Sequence, residues 1–367
     1  MKAKKVSLME LFYDLVFVYA IANMTHLIHH LDNGVTKPFA FFQYIIVLIV
    51  LVNVWMYQTI YCNRLGQDKP KDWMFLLLDM FFMLHLSNAI SSDIRGTFVP
   101  FCIYLSLLTF SLAVQYATEL TRNDIDKNVI YLYIVILTIK GGLVLAAGFM
   151  PFEFGVFVAL AGIILGWLLP MFLLKKMKTL PTNFPHLVER ITLLVIITFG
   201  EMIVDISSYF IIERFEVMSI PMIAIVGCLF IYYITEFDRL INHCTKGSSG
   251  GGIIYSHYLV FPALGVITVM LDFLNDADAN RLFVVISLYI AIAVLYIGII
   301  LNSFYNKSVF KPSKQYYIIQ AAVFICGFTV ALMLRDIPIA VSSVTAVMTM
   351  VQAIMIYNFS VNGRRQQ

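Results

Sequence analysis

Residues 39–62 read FAFFQYIIVLIVLVNVWMYQTIYC, twenty-four positions without an Asp, Glu, Lys or Arg. A helix crosses about 30 Å of hydrocarbon with roughly 20 residues, and this stretch supplies them. Twelve stretches reach that length. The first six are residues 9–30, 39–62, 73–92, 98–118, 129–150 and 153–174; the second six are 187–212, 217–241, 253–274, 282–305, 316–334 and 338–358. The connections are too short to hold a soluble domain. The longest, Lys175 to His186, contains Pro181 and Pro185 and reads as a linker. The expected organisation is 1–174, a linker at 175–186, and 187–367.

Composition points the same way. Of 367 residues, 60% are hydrophobic and 13% charged, and mean hydropathy is +0.86. Soluble domains carry about 25% charged residues. A soluble enzyme, a disordered chain and a nucleic-acid-binding domain are excluded, and a net charge of +3 is too small to seek a polyanion. The implied partner is the lipid bilayer, which suits 30 Phe and 20 Tyr. The five cysteines, Cys62, Cys102, Cys228, Cys244 and Cys326, form no CxxC and read as free thiols. Lys2, Lys4 and Lys5 resemble the start of a signal peptide. Glu10 and Asp14 interrupt the apolar run that follows, and no small-residue cleavage site comes after it. The basic start therefore reads as a cytoplasmic anchor.

Loop charge tests the span count. With both termini cytoplasmic, 19 of the 25 Lys and Arg fall inside. Five fall outside (Lys37, Arg95, Arg214, Arg281 and Arg335), and Lys140 alone sits mid-span. Adding or losing one span would invert this bias downstream. The expected fold is an all-α polytopic membrane protein of about 12 transmembrane helices. The two sets of six suggest parallel six-helix repeats. Glu10 aligns with Glu189 at an offset of 179, and Tyr57 and Thr59 with Tyr233 and Thr235 at 176. Lys140-Gly141 aligns with Cys326-Gly327 at 186, and Pro151 with Pro338 at 187.

The string Glu10-Leu-Phe-Tyr-Asp14-Leu-Val-Phe-Val-Tyr-Ala20 resembles the opening signature of the bacterial low temperature requirement A family, ELFFDLVFVFA. His186-Leu-Val-Glu189-Arg190 and Phe199-Gly200-Glu201 resemble its H-x-x-E-R and L-G-E elements. Tyr57, Thr59, Tyr61, Asn63 and Arg64 resemble its T-x-Y-x-N-R segment; Phe237-Asp238 and Tyr255-Ser256-His257 resemble its F-D and Y-S-H elements. The matches run in order through most of the chain. Departures are Tyr13 and Tyr19 for phenylalanine, Ile191-Thr192 for Phe-Gly, and Glu236 for an aromatic. The resemblance implies a transporter-like architecture in a bacterial cytoplasmic membrane and a family named for growth in the cold; it names no substrate.

Ionisable residues inside spans are the informative positions, because a charge at the bilayer centre costs about 2.5–3.5 kcal/mol on insertion scales. Glu201 lies mid-span, with Asp205 at i+4 on the same face. A lone carboxylate at that depth needs a proton or a cationic partner. Lys140 has a similar depth, so a Lys140–Glu201 pair is expected, with Asp79 the competing partner. Glu10 and Asp14 share one face near the cytoplasmic end of the first span and suit cation coordination or proton exchange. Glu189 and Arg190 are their repeat counterparts. His257 suits proton exchange. Each of these residues has a plain structural alternative, a buried group hydrogen-bonded to a neighbouring helix. For Glu236 and Asp238 the plain reading is a solvated helix end, and for His26, His29 and His30 interfacial histidines rather than a metal site.

Recognisable catalytic motifs are absent. Gly247–Gly252 lacks the lysine of a phosphate-binding loop, His186-Leu-Val-Glu-Arg is not H-E-x-x-H, and no G-x-S-x-G occurs. The sequence therefore reads as a non-enzyme without cofactor or metal. The expected function is a proton- or cation-coupled secondary transporter of a small solute. Its pathway would run through Glu10, Asp14, Asp79, Lys140, Glu189, Arg190, Glu201, Asp205 and His257. The alternatives are a membrane-embedded enzyme acting on lipid or another apolar substrate and a non-catalytic membrane factor supporting growth in the cold. A polar cavity lined by Asp14, Asp79, Glu189, Glu201 and His257 would mark the transporter, and a packed dry centre the non-catalytic factor.

Overall fold

A computed structural model of the chain describes residues 4–91, 93–173, 179–180, 182–210, 216–245 and 248–364. The linker expected at 175–186 falls partly outside them. The described residues form twelve helices: α1 (Leu8–Thr25), α2 (Pro38–Arg64), α3 (Pro70–Asn88), α4 (Ile94–Thr118), α5 (Lys127–Gly148), α6 (Phe152–Leu173), α7 (Phe184–Ile206), α8 (Ser219–Ile234), α9 (Gly251–Phe273), α10 (Arg281–Ile300), α11 (Lys314–Met333) and α12 (Pro338–Arg364). Each overlaps one of the twelve apolar stretches. Ten are long and apolar enough to cross a membrane; α3 and α7 are not among them. The reason is charge: α3 carries Lys71, Asp72 and Asp79, and α7 carries Glu189, Arg190, Glu201 and Asp205. Large apolar side chains face outward along the helices, with Phe157 73% and Phe172 74% exposed. Soluble surfaces rarely tolerate such a display. The chain is a helical multi-pass membrane protein.

Local signals set the helix starts. Pro38, Pro70 and Pro338 occupy first positions, where a missing N–H costs nothing. Ser7, Asp93, Asp126, Asn280 and Ser313 accept from backbone N–H groups of the first turns of α1, α4, α5, α10 and α11. α1 stops at Thr25, earlier than expected. The chain then makes a hairpin of β1 (Leu31–Asp32) and β2 (Val35–Thr36), pairing Leu31 with Thr36 and Asp32 with Val35. Its turn is Asn33-Gly34, with φ of 51° and 79°, the left-handed pair that a two-residue hairpin requires.

The molecule divides into two compact units. One comprises Met1–Leu27, Phe39–Leu194 and Cys244–Ile254; the other comprises Ile28–Pro38, Val195–His243 and Tyr255–Gln367. In the first, α1 packs on α3, α3 on α4, α4 on α5, and α5 on α6. Close approach of α5 and α6 depends on Gly162: a Cβ there would lie 3.0 Å from Leu143 Cβ and 3.3 Å from the Lys140 carbonyl. In the second unit α8 and α11 pack on α12, and α10 on α11. None of the five cysteines is in a disulfide; Cys62, Cys102 and Cys228 are buried.

Candidate functional site

Four ionisable residues of the first unit meet in a two-rung ladder. Glu10 and Asp14 lie one turn apart on α1, and His186 and Arg190 one turn apart on α7, so each pair presents one face. His186 Nε2 sits 2.9 Å from Glu10 Oε2. Arg190 donates from Nη2 to Asp14 Oδ1 at 3.2 Å and from Nε to Oδ2 at 3.4 Å. Asp14 and Arg190 are both 0% exposed. Trp55 on α2 donates its indole N–H to Asp14 Oδ1 at 2.7 Å. The guanidinium lies over the Trp55 and Tyr13 rings, at 5.6 and 5.8 Å. Both rungs join positions 176 apart, the separation of Tyr57 from Tyr233 and Thr59 from Thr235.

Asn63 holds the histidine rung. Its Oδ1 accepts from the Asn183 backbone N–H at 2.9 Å, which fixes the amide's orientation. Its Nδ2 then donates to the Asn183 carbonyl at 2.9 Å and faces His186 Nδ1 at 3.0 Å. With Nδ1 accepting, the imidazole N–H belongs on Nε2, aimed at Glu10. Lys4 reaches the carbonyls of Cys62 and Gly66 and lies 4.0 Å from Glu10 Oε1. Arg64, adjacent to Asn63, donates to Thr182 Oγ1 at 2.8 Å and to the Ser249 carbonyl at 3.3 Å, tying two connections to the end of α2. The Tyr61 hydroxyl lies 2.9 Å from both Asp72 Oδ1 and Glu119 Oε1 and has one proton to donate between them.

Lys140 requires a correction. It does not pair with Asp79, the competing partner, which lies in the same unit. Its amine donates to Asn53 Oδ1 at 2.6 Å and lies 5.8 Å over the Tyr57 ring. Pro170 inside α6 has no N–H, which frees the Gly166 carbonyl one turn back. That oxygen accepts from Tyr57 at 2.7 Å and from Asn53 Nδ2 at 3.2 Å. Asn53 thereby turns its oxygen to Lys140. Asp79, also buried, accepts from Ser111 at 2.6 Å, and its Oδ2 has no hydrogen-bond partner.

The other expected residues differ in burial. Glu189 and Asp205 are exposed and Glu201 half-exposed, so the α7 acids do not face a packed interior as expected, whereas Arg190 beside Glu189 does. In the second unit His257 is buried, with Nε2 2.9 Å from the Tyr233 hydroxyl. His29 lies 3.9 Å from Asp272. A cavity of about 360 Å³ in the first unit is lined mostly by apolar residues such as Phe42, Phe98 and Phe157, with Gln43, Thr97 and Glu153 among its polar ones, and by none of the expected pathway residues.

Sequence reasoning missed Trp55, Asn63 and His186 as site residues. One signal was present: the Glu10/Asp14 spacing recurs as His186/Arg190 at a constant offset of 176. The model of a family described as bacterial low temperature requirement A protein (LtrA) matches residues 5–353. No curated protein matches the chain.

Proposed function

This chain belongs to the bacterial low temperature requirement A family, and from that premise we propose that it is a secondary transporter coupling a proton or cation to a small solute. In this reading all twelve helices span the cytoplasmic membrane as two parallel six-helix repeats with both ends inside, and no covalent chemistry is catalysed. The recurrence of Tyr57 and Thr59 as Tyr233 and Thr235, both at an offset of 176, supports the duplication.

One observation carries the transport reading. Asp79 and Lys140 are opposite in sign, buried in one unit, and bonded to the neutral side chains of Ser111 and Asn53 rather than to a counter-charge. Burying an unpaired charge is costly. Intramembrane charges that persist at such cost mark ion and substrate paths. Asp79 is the coupling residue in this reading and Lys140 shapes the cavity.

The test is purified protein in liposomes, recording charge movement and internal pH while pooled small solutes are added. Wild type should respond to a solute, and Asp79→Asn should be folded and silent. An unchanged response in Asp79→Asn removes Asp79 from coupling. Folded wild type silent in both readouts overturns transport. A second reading, a non-catalytic membrane factor, draws support from the closed ladder and the apolar character of the 360 Å³ cavity. It expects that silence.

A further inference from the structure

The chain leaves α8 through a π-helical turn, Thr235–Leu240. Its wider loop is closed by Ile241 N–H donating to the Glu236 carbonyl at 3.1 Å. Such turns insert one residue into a helix and are frequent at functional sites. Here the turn carries Glu236 inward, to 4% exposure, while Asp238 remains exposed. The solvated helix end expected from the sequence therefore holds for Asp238 and fails for Glu236.

No cation pairs with Glu236 among the described residues. Lys307, the nearest lysine in sequence to Asn306, donates to the Arg239 carbonyl at 2.9 Å, and the Arg239 guanidinium lies 4.8 Å over the Tyr357 ring. The side chain facing the carboxyl is Asn306, within hydrogen-bond reach of it. Asn306 is held in place by its backbone. It bridges Ile241, its N–H donates to the Ser303 carbonyl at 3.1 Å, and the flanking Lys307 N–H donates to the Leu240 carbonyl at 3.0 Å. Glu236 Oε1 and Asn306 Oδ1 are both buried and both lack a hydrogen-bond partner. A cavity of about 10 Å³ adjoins Glu236, lined also by Ser303, Tyr316 and Tyr317 among others. That is the size of one water-sized particle.

Hard oxygens, one of them a buried carboxylate, beside room for a single small particle favour a cation over an anion. One carboxylate balances one positive charge, whereas divalent ions recruit several carboxylates and six to eight oxygens. We propose that Glu236 and Asn306, with the Ser303 hydroxyl, bind one sodium ion at the π-turn of α8. The site goes beyond the transport reading, which rests on Asp79 and Lys140, and it stands whether or not a solute is moved.

The experiment uses the purified full chain in detergent at fixed pH and ionic strength. Equilibrium binding of radiolabelled sodium and the thermal midpoint in sodium, potassium or choline chloride are measured together. Wild type should bind one sodium per chain, and its Tm should rise saturably with sodium by several degrees but not with choline. Glu236→Gln should lose both responses, and Asp238→Asn, at the exposed acid of the same turn, should keep both. Ser303→Ala, which keeps the carboxylate, should bind sodium about ten-fold more weakly. Absence of sodium binding by folded wild type overturns the site, as does an undiminished response in Glu236→Gln. Potassium matching sodium overturns the assignment of the ion. None of these readouts involves flux, so failure here is distinct from failure of transport.

Discussion

Replacing Asp14 by Asn tests the centre of the ladder. The substitution keeps an oxygen for the Trp55 N–H, which now donates to Asp14 Oδ1 at 2.7 Å. It removes the charge that faces Arg190 through two hydrogen bonds of 3.2 and 3.4 Å. Arg190 then remains buried without a carboxylate bonded to it, its Nη1 already lacking a hydrogen-bond partner. Breaking one side of a buried ion pair costs about 3–5 kcal/mol. At ~2.1 cal/mol/K per residue, 367 residues carry an unfolding entropy of roughly 770 cal/mol/K. The expected fall in Tm is therefore roughly 4–6 °C. Arg190→Met should lose a similar amount by stranding the Asp14 carboxylate. The double variant Asp14→Asn/Arg190→Met removes both charges and should recover about 2 kcal/mol or more of the summed loss, because replacing a whole buried pair is often neutral. The assay is thermal unfolding in lipid nanodiscs followed by tryptophan fluorescence, with helical content checked by circular dichroism. Single losses below about 1 kcal/mol, or a double variant additive to within about 0.5 kcal/mol, would refute the coupling.

Other predictions follow from the same geometry. Asn63→Ala removes the bonds to Asn183 and frees His186 Nδ1; it should cost about 1–3 kcal/mol, read as a lowered Tm, and a wild-type Tm would refute the orienting role. Gly34→Ala places a Cβ 2.9 Å from the Asp278 carbonyl at a φ of +79°. The left-handed backbone alone should cost about 1–2 kcal/mol, and a neutral Tm would argue against the hairpin. Cys244 is exposed in the connection from α8 to α9, so a membrane-impermeant maleimide should label it in inside-out vesicles and leave it near background in right-side-out ones. The reverse result would invert the twelve-span topology.

The sequence alone determined that this chain is a bundle of apolar helices and where each one lies. The reason is local: twenty apolar residues satisfy their backbone only by coiling, and Ser7, Asp126 and Pro338 mark helix starts from within their own first turns. The family was legible for a similar reason, since its motifs are contiguous strings. Spacing also showed that Glu10 and Asp14 share a face. It could not identify what lies opposite, because the partner is 176 residues away and nothing local encodes which face of α7 turns inward. Packing made that choice, burying Arg190 and leaving Glu189 outside. Depth offered Asp79 as a partner for Lys140, yet depth is one coordinate of three. A proline in α6 freed the Gly166 carbonyl, Asn53 and Tyr57 moved to satisfy it, and the Asn53 oxygen was left for Lys140. Glu236 followed the same logic: its spacing suited a solvated helix end, and only the extra residue of the π-turn carried it inside.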